Sequence, residues 1–215
     1  MSWISVAIGS AVAMFLAAGQ AAQAQTCRPV VERTGDLGCW ILTHQPVGQL
    51  NRPEVFWHLD VYPTKAGAES AKTSTGAVVA AFDKIWLLTI AEKGWIPSSG
   101  DRVAEIGPIP VTPGQSYMAQ YMEASLKPGS VSPSHMHSGP EAIFVLAGEH
   151  CMETPDGKQV RGANDQPVIV PGGPPMHLTV TGTGIRRALV LILHDPTKAA
   201  TAPAPQWTPK ELCKS

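Results

Sequence analysis

Twenty prolines and twenty glycines are spread along this chain of 215 residues rather than gathered in one tract. A helical bundle tolerates far fewer, and the spacing suits short strands separated by turns. The apolar runs between the breaks agree. Val55 to Tyr62 holds bulky β-formers and stops at Pro63. Ala77 to Phe82 and Ile85 to Ile90 flank Asp83-Lys84, which reads as a two-residue hairpin turn. The alanines between Ala66 and Glu92 also admit a helix. Trp95 to Gly114 carries Pro97, Pro108, Pro110 and Pro113 and is expected to be extended. From Tyr117 to Ala124 the pattern alternates: Tyr117, Ala119, Tyr121 and Glu123 share one face, and Met118, Gln120, Met122 and Ala124 the other. Ala142 to Ala147 closes at Gly148. His150 to Thr154 runs into the turn Pro155-Asp156-Gly157. Val168 to Val170 and Met176 to Thr181 flank a turn rich in Pro and Gly, and Arg187 to His194 is the most strand-like piece of all.

The fold class predicted from this pattern is all-β, an antiparallel sandwich or barrel. The second half is not repeated in the first, so one barrel is expected, with its core at 116–195. Residues 25–115 read as an N-terminal extension of additional strands packed on that barrel. Residues 196–215, rich in Ala and Pro as far as Pro209, read as an extended C-terminal tail.

The start of the chain reads as a targeting segment. Trp3 to Ala18 is almost unbroken apolar sequence, and Ala22-Gln23-Ala24 has the form of a signal-peptidase site, so residues 1–24 are expected to be removed after Ala24. The run is short for a bilayer, which takes about 20 residues. Periplasmic or secreted localisation follows. Export bears on Cys27, Cys39, Cys151 and Cys213, because an oxidising compartment favours pairing. Three connectivities are possible; Cys27 with Cys39 and Cys151 with Cys213 is preferred, a local loop and a clamp on the tail. Charged residues make up 15% and the formal net charge is −1. With no basic run, nucleic acid and anionic membrane surfaces are not expected partners. A small-molecule substrate or ligand is, and a homodimer is compatible with the sequence.

Residues 129–148 carry the chemistry. His135 and His137 are two apart, so on a strand both point the same way. Glu141 follows a Ser-Gly-Pro turn that can swing its carboxylate back to the same point. Two imidazoles and a carboxylate make a facial ligand set that leaves coordination positions open. His177, after the Pro/Gly turn, is the expected fourth ligand, and His194 is the first substitute. His150 reads as a satisfied strand histidine, and His44 and His58 are given no role. If the face of Tyr117, Tyr121 and Glu123 lines the barrel, Tyr121 becomes a candidate general base beside Glu141. The alternative is that the tyrosines pack and Glu123 meets solvent. Arg186 and Arg187 could hold an anion but read as a solvated strand end, and Trp40, Trp57, Trp86 and Trp95 as core.

These residues resemble a known family. Gly129-x5-His135-x-His137-x3-Glu141-x6-Gly148 is similar to the first cupin motif at every fixed position. Pro171-Gly172-Gly173 followed by His177 resembles the second, with three residues between Gly173 and His177 where the motif has two. The resemblance implies a cupin jelly-roll β-barrel holding one divalent transition metal, Fe, Mn, Ni, Zn or Cu. Cupins host many reactions. The function expected first is that of a metal-dependent, dioxygenase-like oxidoreductase acting on a small organic molecule. A metal-dependent lyase or isomerase, with Tyr121 or Tyr117 removing a proton, comes next. A non-catalytic periplasmic binding protein is the reading from another class.

Overall fold

The computed structural model describes residues 27–214. The signal segment and its cleavage after Ala24 lie outside them. The strands are β1 (Arg28–Pro29), β2 (Gly38–Leu50), β3 (Glu54–Tyr62), β4 (Gly76–Ala81), β5 (Lys84–Ala91), β6 (Asp101–Pro110), β7 (Gln115–Leu126) and β8 (His135–His137). Then come β9 (Glu141–Ala147), β10 (Glu149–Thr154), β11 (Gly157–Gly162), β12 (Val168–Val170), β13 (His177–Thr181), β14 (Arg186–His194) and β15 (Thr201–Pro203). Among the described residues one α-helix occurs, α1 (Lys65–Ala71), capped by Thr64, whose Oγ1 accepts the Gly67 N–H at 3.1 Å. The helix that the alanines admitted reaches no further than Ala71.

Three layers result. A six-stranded sheet in the order β1-β2-β7-β14-β9-β12 lies at the centre. The four-stranded sheet β4-β5-β3-β6 covers one face, where Trp57, Leu59 and Leu88 pack with Tyr121, Leu189 and Leu191. Over the other face curve β11-β10-β13 and β15-β8, enclosing a lumen walled by Met122, Ile143, Met152, Leu178, Val190 and Ile192. The fold is an all-β jelly roll. Burial on both faces explains the unbroken apolar run Ala188 to Leu193, since neither parity of β14 meets water. Each such leucine or valine contributes about 1.5–3 kcal/mol on burial.

The β4–β5 hairpin forms as expected, but its two-residue loop is Phe82-Asp83, one residue earlier than Asp83-Lys84. Ala81 pairs with Lys84, and the φ angles of Phe82 and Asp83, 51° and 59°, are both left-handed, as a type I′ turn requires. Strand β2 belongs to the central sheet and pairs with β7 from Gly38 to Leu50, so the stretch before residue 116 supplies a wall of the barrel as well as the layer packed on it. The tail does more than cross the surface: Thr201, Ala202 and Pro203 pair with His137, Met136 and His135. Both disulfides are the preferred ones, Cys27–Cys39 and Cys151–Cys213, with Cα separations of 4.4 and 5.6 Å. They indicate an oxidising compartment. No helix among the described residues is long and apolar enough to cross a membrane.

Candidate functional site

Strand β8 presents His135 and His137 on one side, and the chain then turns through Ser138-Gly139-Pro140 into β9. The turn is tight. A Cβ on Gly139 would lie 2.0 Å from the Leu193 carbonyl oxygen, so no larger residue fits there. Glu141 emerges beside Ile192 of β14 and Val170 of β12, facing the lumen. His135, His137 and Glu141 together line one end of a cavity of about 540 Å³.

Backbone carbonyls hold both imidazoles. His135 donates from Nδ1 to Pro133 O at 2.8 Å, and His137 from Nδ1 to Ala200 O at 2.9 Å. Each bond leaves the lone pair on Nε2, as an outer hydrogen bond does for a metal-binding histidine. His137 Nε2 lies 3.7 Å from Glu141 Oε1, and the His135 and His137 ring centroids are 4.9 Å apart. Neither His137 Nε2 nor Glu141 Oε2 has a hydrogen-bond partner, although both are buried. Unsatisfied buried atoms of this kind call for an occupant. Burial pushes the His137 pKa down to about 4, with His194 adding to the effect and the Ala200 bond opposing it. Burial also lowers His135, against the pull of Glu141. The rings are therefore neutral at ordinary pH, the form a metal requires. Burial raises the Glu141 pKa, while the charges of His135 and Arg186 hold it back.

The donor chemistry fits a divalent transition metal. Two donors already face one another and His135 stands beside them. As the side chains stand, no three His, Cys, Asp or Glu residues among those described close around a single point.

His177 is not one of the converging residues. It heads β13 on the outer face, opposite Glu153, whose carboxylate accepts the N–H groups of Lys210 and Leu212 in the tail. Leu178, the next residue, lines the cavity, and Met176 is wholly buried with the lumen residues. The extra residue before His177 moves it by one, and a shift of one reverses a strand's faces. His194 has the better parity. It ends the inward row Arg186, Ala188, Val190, Ile192, is buried, donates from Nδ1 to Asp195 O at 2.9 Å and leaves Nε2 unpartnered.

Tyr121 is corrected as a catalytic candidate. It faces the four-stranded sheet, wholly buried, with its ring 6.1 Å from that of Trp57 and its hydroxyl donating to Leu88 O at 3.4 Å. Burial raises its pKa, so it is a poor base as well as a misplaced one. Tyr117 packs there too, its hydroxyl accepting the Thr112 N–H at 2.9 Å. The lumen face of β7 is the other one, Gln120, Met122 and Ala124. Glu123 does not meet solvent; it is buried and paired with Arg33. Trp40, Trp57 and Trp86 are core, whereas Trp95 is half-buried beside His58 and Arg102.

Sequence reasoning named Arg186 as able to hold an anion but preferred a solvated strand end for it. It is 2% exposed and lines the cavity instead of ending a strand in solvent. Counting back by twos from Ile192 would have placed it inside. His150, read as satisfied, is wholly buried with neither ring nitrogen partnered.

Residues 122–192 match the family model of the cupin domain. Together with the jelly roll, that match makes this segment a cupin domain. No curated protein matches the chain. Among solved structures, the chain is similar to the DMSP lyase DddQ from Ruegeria pomeroyi, at 27% identity over 42% of this chain and 45% of that one, with a TM-score of 0.36. It is similar to a cupin superfamily protein from Desulfitobacterium hafniense, at 20% identity over 40% of this chain and 74% of that one, TM-score 0.33. A variant of Bacillus subtilis oxalate decarboxylase shows 18% identity over 42% and 29% of the two chains, TM-score 0.33. The alignment with the lyase spans less than half of that protein's length.

Proposed function

We propose that the cupin domain holds one divalent transition metal through His135, His137 and Glu141, with His194 a further inward-facing imidazole, and acts on a small organic molecule in the lumen. One observation carries this: the unpartnered lone pair of His137 and the buried carboxylate of Glu141 face each other 3.7 Å apart at the end of a cavity. When bound, such an ion supplies Lewis acidity and open positions for oxygen and substrate. The protein's own part is to orient His137 from Ala200, to set the Glu141 carboxyl against His137, and to exclude water with Met122, Ile143, Val190 and Ile192. Oxygen-dependent oxidation, in the manner of a dioxygenase, is the first reaction class, because this facial donor set leaves room for two exogenous ligands. For lyase or isomerase chemistry, proton removal would fall to Glu141 or His194, since Tyr121 is on the wrong face.

A second reading, a non-catalytic binding protein of the exported compartment, is favoured by the open spacing of the three donors. One titration separates the two. Metal-stripped protein titrated with Co²⁺ should take up one ion per chain with visible absorption bands, and the His137→Ala and Glu141→Gln variants should show none. Absence of uptake by the unaltered protein would leave the binding role. Uptake followed by oxygen consumption in the Fe²⁺ form, with a substrate panel, supports the oxidase class.

A further inference from the structure

We infer that the far end of the same lumen is a carboxylate-binding site made by Arg186 and His150, so that the molecule taken up is a small organic acid with an apolar body. Arg186 opens β14 and points inward along the row that ends beside Glu141. Gly148 makes this possible: its φ is +68°, and a Cβ there would lie 2.7 Å from the Arg186 Cα, so the chain can cross over the arginine only as glycine. The Nε and Nη2 atoms of Arg186 are buried and have no hydrogen-bond partner, and among the described residues no carboxylate comes within salt-bridge distance of it. Buried charges are ordinarily paired, and one left unpaired weakens the fold unless something arrives to pair it.

His150 comes from the facing sheet. It lies two residues before the lumen-lining Met152 and so shares its face. Both of its ring nitrogens are unpartnered. Burial first, and then the charges of Arg186 and Arg161, push its pKa down to about 3, so it stands neutral with one N–H to offer. The guanidinium fork accepts a carboxylate through two parallel bonds. Met122, Ile143, Met152, Leu178, Val190 and Ile192 give the lumen a mainly apolar wall, which suits a ligand with an apolar body. Arg186 and Ile192 are about 20 Å apart along the strand, from six residues at the extended rise. An acid held by the arginine side chain lies in the cavity that Glu141 also lines.

The charge balance points the same way. A divalent ion held at His135, His137 and Glu141 would add positive charge to the lumen and draw an anion there. That last step rests on the proposed metal site, while the Arg186 pocket stands without it.

Benzoate and its neutral amide, benzamide, test the pocket by calorimetry on the metal-stripped and the Co²⁺-loaded protein. Benzoate should bind both forms, at least tenfold tighter than benzamide. Arg186→Gln should remove the benzoate preference, Arg186→Lys should weaken it about tenfold, and Arg187→Gln, on the exposed neighbour, should leave it intact. Arg186→Gln should also raise the melting temperature of the ligand-free protein, because an unpaired buried charge is removed. Equal binding of acid and amide, full preference in Arg186→Gln, or a variant that melts lower or fails to fold would each overturn the inference. Benzoate binding without any Co²⁺ uptake would sink the metal reading and leave the acid pocket standing.

Discussion

The two halves of the cupin signature are built from similar residues and end on opposite sides of the barrel wall. Around residues 135–141 the spacing is intact, and His137 and Glu141 both turn inward. Around residues 171–181 there is one residue more, so Met176 occupies the lumen and His177 stands outside beside Glu153. Neither half differs in polarity enough to reveal this. What decides the outcome is parity, because on a pleated strand an insertion of one exchanges the faces. A histidine is a ligand by position first and by chemistry second.

This contrast can be broken at several points. The largest effect is expected at the intact half: His137→Ala or Glu141→Gln should lower metal affinity by more than the ~10–100-fold that losing an outer-shell hydrogen bond typically costs. Competition with a coloured chelator measures it, and near-normal affinity in either variant would remove the site. Next comes the pH dependence of stability. His150 has a folded pKa of about 3 against 6.5 for a free imidazole, so it takes up a proton on unfolding. Its contribution is complete above pH 6.5 and is lost as pH falls toward 3, by about 1.4 kcal/mol per pH unit at full slope. Urea titrations at pH 7 and pH 5 should show the loss, and His150→Gln should flatten it; an unchanged slope would mean that His150 is not buried in the neutral form.

Met176→His should return an imidazole to the lumen and tighten the metal by about tenfold, which is about 1.4 kcal/mol. An unchanged affinity would show that the second half has lost more than its register. Tyr121→Phe deletes one long hydrogen bond between two packed layers. It should cost no more than about 1.5 kcal/mol of stability and leave metal affinity untouched, whereas lost turnover with stability intact would restore Tyr121 to the site. The smallest effect belongs to His177→Ala, with metal affinity unchanged and stability shifted by about 0.5 kcal/mol or less, as for surface substitutions.

Much of the fold was legible because turns and alternation are local. The β4–β5 hairpin, the turn at Pro155-Asp156-Gly157 and the strand at 117–124 could be read from neighbouring residues, while the disulfide pairing was a preference among three that the fold selects. The inward side of β7 could not. Alternation defines two faces, and here both are buried, one by phenols against Trp57 and one by methionines around the lumen. Arg186 was hidden for a similar reason: a charged residue at a strand end reads as solvated until the sheet that covers it is known. The pairing of β15 with β8 depends on two segments far apart in sequence, and no local pattern announces it.

The hydrogen bond from His137 to Ala200 spans 63 residues, and the Cys151–Cys213 bridge anchors the same tail. A nascent chain cannot fix that ring through this bond until residue 200 has been translated. Truncated products therefore carry both halves of the signature and still lack an oriented imidazole. Reducing agents reach the same atom indirectly, by untying the C-terminus that steadies it.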